Sequence, residues 1–250
     1  MKRGNRAQAT IFIIIAIIIV AVILLFIFTR SETEPDVEIG PEIRHIHNFV
    51  QRCILQTGES AVYRIGRTGG YYELSDKSTN EGVAYYYDKG GILIPQKEII
   101  ESELSLYMDE MLDICTNDFI DFPDYEITSG EVQSVSKILS KGVSFEVSYP
   151  LRIIKDKKTL LLEDFEIEIP VRFLTVYNTA NSIVNGMTKE GYCIDCAYNV
   201  LKENNLFLQT RDFEDEDIIF YIIDKNSSIL DEDFIYIFAS KYEKPECGEC

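Results

Sequence analysis

Cations are scarce in this chain. Lys and Arg number 24 against 42 Asp and Glu, for a net charge of −18. A field of that sign repels nucleic acid and anionic lipid headgroups, so no nucleic-acid partner is expected. Histidine is scarcer still, with His45 and His47 the only two. They stand two apart, which on a helix points them to different faces and lacks the i, i+4 match of a helical metal pair. A Ser-His-Asp arrangement would have to use one of them. The P-loop, GxSxG, HExxH, GxGxxG and EF-hand patterns are all absent. No internal repeat occurs. These absences leave no motif that announces an enzyme, and no catalytic or cofactor-binding residue is assigned.

One long apolar run is present. Ile11 to Phe28 reads IFIIIAIIIVAVILLFIF, eighteen residues without a charge. As a helix it spans ~27 Å, and Ala9, Thr10 and Thr29 extend it to ~31 Å, the thickness of a bilayer core. Residues 9–29 are therefore expected to contact membrane lipid. A cleaved secretory signal has an apolar region of ~7–15 residues and a small-residue cleavage site. Here the run is longer, and Thr29-Arg30-Ser31-Glu32 follows it. An uncleaved anchor is the expectation. Lys2, Arg3 and Arg6 precede the run and one Arg follows it. The positive-inside rule then puts the N-terminus in the cytoplasm and everything from about Ser31 outside the cell. Residues 1–30 hold four cations and no acid, so the remaining 220 carry −22 of the charge.

The stretch RGNRAQATIFIII resembles the class III signal of archaeal pilin-type proteins: basic residues, a small residue and Gln, then a long apolar helix. The resemblance implies a cut between Ala7 and Gln8, or after Gly4, that leaves the anchor in place. Phe12 departs from it, standing where that family often carries an acid. FVQRCILQ (49–56), GGYYEL (69–74) and DIC (113–115) are similar to segments of uncharacterised archaeal single-pass membrane proteins. That resemblance carries no known activity.

The segment SETEPDVEIG (31–40) is polar, acidic and without apolar periodicity, so it reads as a linker. Beyond it, Ile43, Ile46, Val50, Cys53, Thr57, Ala61 and Ile65 recur at helical spacing and predict a helix over 41–65, ended by Gly66, Gly69 and Gly70. YYEL (71–74) and VAYYY (83–87) predict two short strands, and 96–117 a second helix. Val143 to Ile153 and Phe165 to Val171 alternate strictly around the turn KDKK (155–158), which predicts an antiparallel hairpin. Ser140-Lys141-Gly142 turns back to a strand at 132–139. Helices at 172–187 and 190–203 and strands at 206–211, 218–223 and 233–242 follow, with Asp224–Ser228 as the last hairpin loop.

The expected class is α+β: an N-terminal transmembrane helix, then an ectodomain with a mostly antiparallel sheet and packed helices. The expected organisation is 1–30 for the cytoplasmic N-terminus and anchor, then 31–40 for the linker. A helix-hairpin-helix subdomain at 41–124 precedes an antiparallel α+β subdomain with a cysteine-bearing tail at 125–250.

Six cysteines follow the anchor: Cys53, Cys115, Cys193, Cys196, Cys247 and Cys250. Outside a cell nothing keeps thiols reduced, and an even count suits disulfides. Cys53 lies on the buried stripe of the first helix and Cys115 near the end of the second, so a Cys53–Cys115 bridge is expected. It would close a loop of ~60 residues and contribute ~4 kcal/mol in the chain-entropy model. CIDC (193–196) and CGEC (247–250) supply four thiolates, which zinc could take. Disulfides that fasten the tail to a helix, or one local bridge in each CxxC, are the alternative. A redox CxxC is a third, although such a motif normally opens a helix after a strand. Zinc is the one cofactor these residues leave open.

Other polar features are weaker. DFEDED (212–217) and DED (231–233) could gather calcium or form a solvated rim. Asn226-Ser227-Ser228 is a glycosylation sequon. Tyr71, Tyr72, Tyr85, Tyr86 and Tyr87 could serve a sugar or a partner, though half of them should face a core. The leading expectation is a non-enzymatic surface protein that binds an unknown partner or assembles with itself. A pilin-like filament subunit and an extracellular CxxC oxidoreductase are the alternatives.

Overall fold

The computed structural model describes residues 43–74, 76–190, 194–213 and 217–241, together with Ile19. Among these no helix is long and apolar enough to cross a membrane. The expected anchor at 11–28, apart from Ile19, and the expected linker at 31–40 lie outside the described residues. His45–Cys250 forms one compact unit, and of the other, Met1–Arg44, only Ile19, Ile43 and Arg44 are described.

The class is α+β with four α-helices among the described residues: α1 (Arg44–Arg67), α2 (Lys97–Thr116), α3 (Phe173–Glu190) and α4 (Ile194–Asn204). The strands are β1 (Tyr85–Asp88), β2 (Gly91–Ile92), β3 (Glu126–Ser129), β4 (Gln133–Ile138), β5 (Val143–Lys155), β6 (Lys158–Ile169), β7 (Phe207–Phe213), β8 (Asp217–Ile229) and β9 (Glu232–Lys241). They form two sheets. The first runs β2-β1-β9-β8-β7. In the second, β5 is central, with β6 along one side and β4 and then β3 along the other.

The second sheet follows the alternation of its sequence. Val143, Phe145, Val147, Tyr149, Leu151 and Ile153 are all buried, and so are Phe165, Ile167 and Ile169 opposite them. Asp156 and Lys157 take positive φ of 48° and 68°, the two-residue turn whose twist suits a hairpin. Pro150 sits where β5 passes from β4 to β3, and its carbonyl accepts a 2.7 Å bond from Gly130 N–H. A residue without an N–H is tolerated at such an irregularity. Helix α2 covers the outer edge of β4. Ser105 Oγ accepts from Ser136 N–H at 2.8 Å, and Glu101 Oε1 accepts from Ile138 N–H at 2.7 Å. Side chains of the helix thus satisfy backbone donors that an edge strand would otherwise show to water.

Helix α1 reaches both sheets by close approach at two glycines. A Cβ at Gly58 would lie 2.9 Å from Ile169 Cδ1, and one at Gly66 would lie 2.9 Å from the Phe234 ring and 3.1 Å from Ile235 O. The stripe read from the sequence is the buried one: Ile46, Val50, Cys53, Thr57, Ala61 and Ile65 all face inward. Gly66 does not end the helix, which continues to Arg67. Gly69 and Gly70, at φ 76° and 96°, stop it.

Two expectations are corrected. Residues 71–74 form no strand, because Glu103 on α2 accepts the N–H groups of Tyr72 and Glu73 and holds them as a turn. Asp224–Ser228 is not the last hairpin loop. β8 runs through it with a register shift, and the turn is Leu230-Asp231, both at positive φ. The first sheet is mixed, since β1 pairs with β9 in parallel. Strands from either side of residue 124 therefore share one sheet.

Candidate functional site

Cys53 on α1 and Cys115 on α2 form a disulfide, with Cα atoms 5.6 Å apart. The expected pairing is the observed one. Cys53 is buried and the bridge ties together two helices, so its role is structural.

The remaining cysteines are placed only in part. The described part of α4, Ile194–Asn204, includes Cys196. Cys193, Cys247 and Cys250 lie outside the described residues. Among the described residues no group of three or more His, Cys, Asp or Glu could hold a metal ion. The two histidines do point apart: His45 packs on Phe122 and Tyr125, and His47 on Phe165. Of the acidic clusters, Glu232 takes Arg67 at 2.8 Å, while Asp217 takes the Tyr85 hydroxyl at 2.5 Å and Lys241 at 3.3 Å. Residues 214–216 lie outside the description.

Sequence reading did not anticipate the ionic centre of the molecule. The bulge in β8 turns the Asp224 side chain inward, where it is fully buried. Arg172, immediately before α3, donates to both of its oxygens, with Nε 2.9 Å from Oδ2. Ser227 Oγ donates to the same carboxylate at 2.6 Å and Asn226 N–H at 3.0 Å. Arg172 Nη1 also reaches Asn204 O at the end of α4. Burial alone pushes the carboxyl upward. The bonds from Arg172, Ser227 and Asn226, with the arginine's charge, outweigh it and hold the pKa below the ordinary aspartate value. Both carboxylate oxygens are held by donors and the guanidinium is shared with the Asn204 carbonyl, so the pair serves as a fastening. Asn226 is exposed at the same bulge, in a strand rather than in a hairpin loop.

Of the five tyrosines singled out in the sequence, Tyr86 is buried and Tyr71, Tyr72, Tyr85 and Tyr87 are half-buried. Tyr86 and Tyr236 are fully buried with their hydroxyls 2.5 Å apart. Burial raises both phenols well above their ordinary range, so neither ionises to act as a base or nucleophile. Tyr86 stacks on Phe238, which stacks on Phe220. Tyr72 stays at the surface against Tyr107 and Glu110.

Among the described residues, two grooves open on the surface. One, about 730 Å³, lies between α1 and β6 and mixes His45 and Arg52 with Glu166 and Glu168. The other, about 430 Å³, lies between α4 and β7. It is lined by Tyr198, Leu201, Lys202, Asn205, Leu206, Phe207, Leu208 and Thr210. It carries no acid. Neither groove holds a nucleophile beside a base. Their linings present apolar surface, aromatic rings and a few charges. Comparison with protein-family models, with curated proteins and with solved structures finds no match.

Proposed function

We propose that this chain is a single-pass, membrane-anchored protein whose acidic α+β ectodomain lies outside the cell and works by binding rather than catalysis. The observation that carries the reading is the Cys53–Cys115 disulfide. Such a bond persists in oxidising compartments and is rare where thiols are kept reduced. The apolar run Ile11–Phe28, preceded by Lys2, Arg3 and Arg6, supplies an anchor and its orientation. The grooves lack a paired nucleophile and base, which favours a binding role. No cofactor is proposed.

The test is topological. In intact cells, an antibody against a tag after Cys250 should reach it, and external protease should remove the tag and ectodomain. The chain should sediment with membranes and resist carbonate extraction. A tag reachable only after lysis, or a carbonate-soluble chain, overturns the reading.

A second reading rests on the CxxC spacing of Cys193 and Cys196. An extracellular thiol oxidoreductase using Cys193 and Cys196 would then react quickly with iodoacetamide at pH 6 after mild reduction. Slow labelling sinks it.

A further inference from the structure

A sheet edge invites another strand unless it is short, covered or charged. The edges of this protein are mostly managed in those ways. β2 has two residues and β3 four. Side chains of α2 occupy the edge of β4. β6 carries Glu163, Asp164, Glu166 and Glu168. β7 differs. Among the described residues β8 is its one neighbour, and its first four residues, Phe207 to Thr210, include no charge and no proline.

The groove beside that edge has the chemistry to read a strand. Its floor is Leu201, Leu206 and Leu208. Tyr198 and Phe207 stand at its rim, 63% and 48% exposed, and such aromatic anchors dominate binding surfaces. In a chain with 42 acids and 24 bases, the lining holds a lysine and no acid. Lys202 makes no ion pair among the described residues. Lys225 lies 4.7 Å over the Phe207 ring.

We propose that the Phe207–Thr210 edge and the α4–β7 groove dock an extended segment of a partner protein in which apolar and acidic residues alternate. Side chains of an added strand point to opposite faces in turn. Its apolar set enters the groove against Leu201 and Tyr198, and its acids meet Lys202 and Lys225. The net charge of −18 opposes the approach of an acidic partner. The lysines act within a Debye length of ~8–10 Å, so they fix register at contact rather than speed encounter. The inference rests on the reading of the ectodomain as a binding module, but its test uses purified chain and is independent of membrane topology.

The probe is a labelled octapeptide of alternating Glu and Val, titrated into the full-length chain in mild detergent. An alternating Lys and Val octapeptide and a Gly-Ser octapeptide are the controls. The expected result is that the Glu/Val peptide binds at least tenfold tighter than either control and slows amide exchange at Phe207–Thr210. The double variant Lys202→Glu, Lys225→Glu should invert the order of the two charged peptides. Tyr198→Ala should weaken the Glu/Val peptide about tenfold, and it decides the matter if the charge-reversed variant does not fold. No binding, equal binding of the charged peptides, or protection at another segment overturns the proposal. So does self-association that protects Phe207–Thr210 without peptide, which would assign the edge to a second copy of this chain.

Discussion

Arg172 grips Asp224 across a separation of fifty-two residues, with Nε and Nη2 each donating to a different oxygen of a fully buried carboxylate. The pair joins the entry to α3, the end of α4 and the bulge of β8. Removing Arg172 leaves the Asp224 carboxylate buried alone, which typically costs ~3–5 kcal/mol. Arg172→Ala is expected to lose stability in that range, and Asp224→Asn less because Arg172 keeps partial contact with water, both read from urea unfolding midpoints at pH 7.

The same pair sets a pH dependence. The Asp224 pKa is lowered on folding, so the unfolded chain binds more protons in the acid range. The contribution is therefore fully present above the unfolded value of ~3.9 and is lost as pH falls through the lower folded value. The stability gap between the parent chain and Asp224→Asn should be constant from pH 7 to 5 and narrow below about pH 4. A gap that widens on acidification would contradict the arrangement.

The two glycines of α1 should respond differently to alanine. Alanine favours a helix interior over glycine by ~1 kcal/mol. At Gly58 the nearest atoms are the tips of Ile169 and Ile167, which can turn aside. At Gly66 they are the Phe234 ring and the Ile235 carbonyl, which cannot. Gly58→Ala is expected within ~1 kcal/mol of the parent, whereas Gly66→Ala should cost ~1–3 kcal/mol through overpacking. Thermal unfolding of the two variants, run side by side, separates the effects.

Local period was enough to find most elements. The buried stripe of α1 and the alternation of β5 and β6 follow from apolar spacing, and that stripe together with the second helix led to the Cys53–Cys115 bridge. Long-range partners were not legible. Residues 71–74 have strand composition, but Glu103, thirty residues away, captures their N–H groups. The parallel pairing of β1 with β9 depends on a crossover that no local pattern records. Asp224 and Ser227 read as a polar turn because their partner, Arg172, is remote in sequence. The groove between α4 and β7 was equally hidden. Tyr198, Lys202 and Phe207 belong to unremarkable segments, and only the helix-to-strand reversal at Asn205 brings them together.

Loss of the helix-to-helix bridge should be costly and clean. Cys53→Ser with Cys115→Ser opens a link between residues sixty-two apart. Chain entropy alone puts the loss at ~4 kcal/mol, with native disulfides generally in the range of ~2–5. The double variant should unfold at lower denaturant with circular dichroism otherwise unchanged. An equal loss on adding reductant to the parent chain would confirm the source. A variant as stable as its parent would show that the bond is not made in solution.

Intact mass of the unreduced full-length chain tests the remaining cysteines and the N-terminus together. Each disulfide removes about two mass units, and bound zinc survives native but not denaturing spray. Under the proposed extracellular location, three bridges are expected from the six cysteines, with Cys193, Cys196, Cys247 and Cys250 forming two of them. After peptide mapping, a link between the 193–196 and 247–250 segments would fasten the tail to α4. Links within each CxxC would leave the tail untethered. One bridge plus a native mass increment of zinc would instead establish the four-thiolate site. The same spectrum reads processing. A mass that begins at Gln8, or just after Gly4, supports the pilin-type signal, while an intact Met1 removes it and leaves a plain anchor.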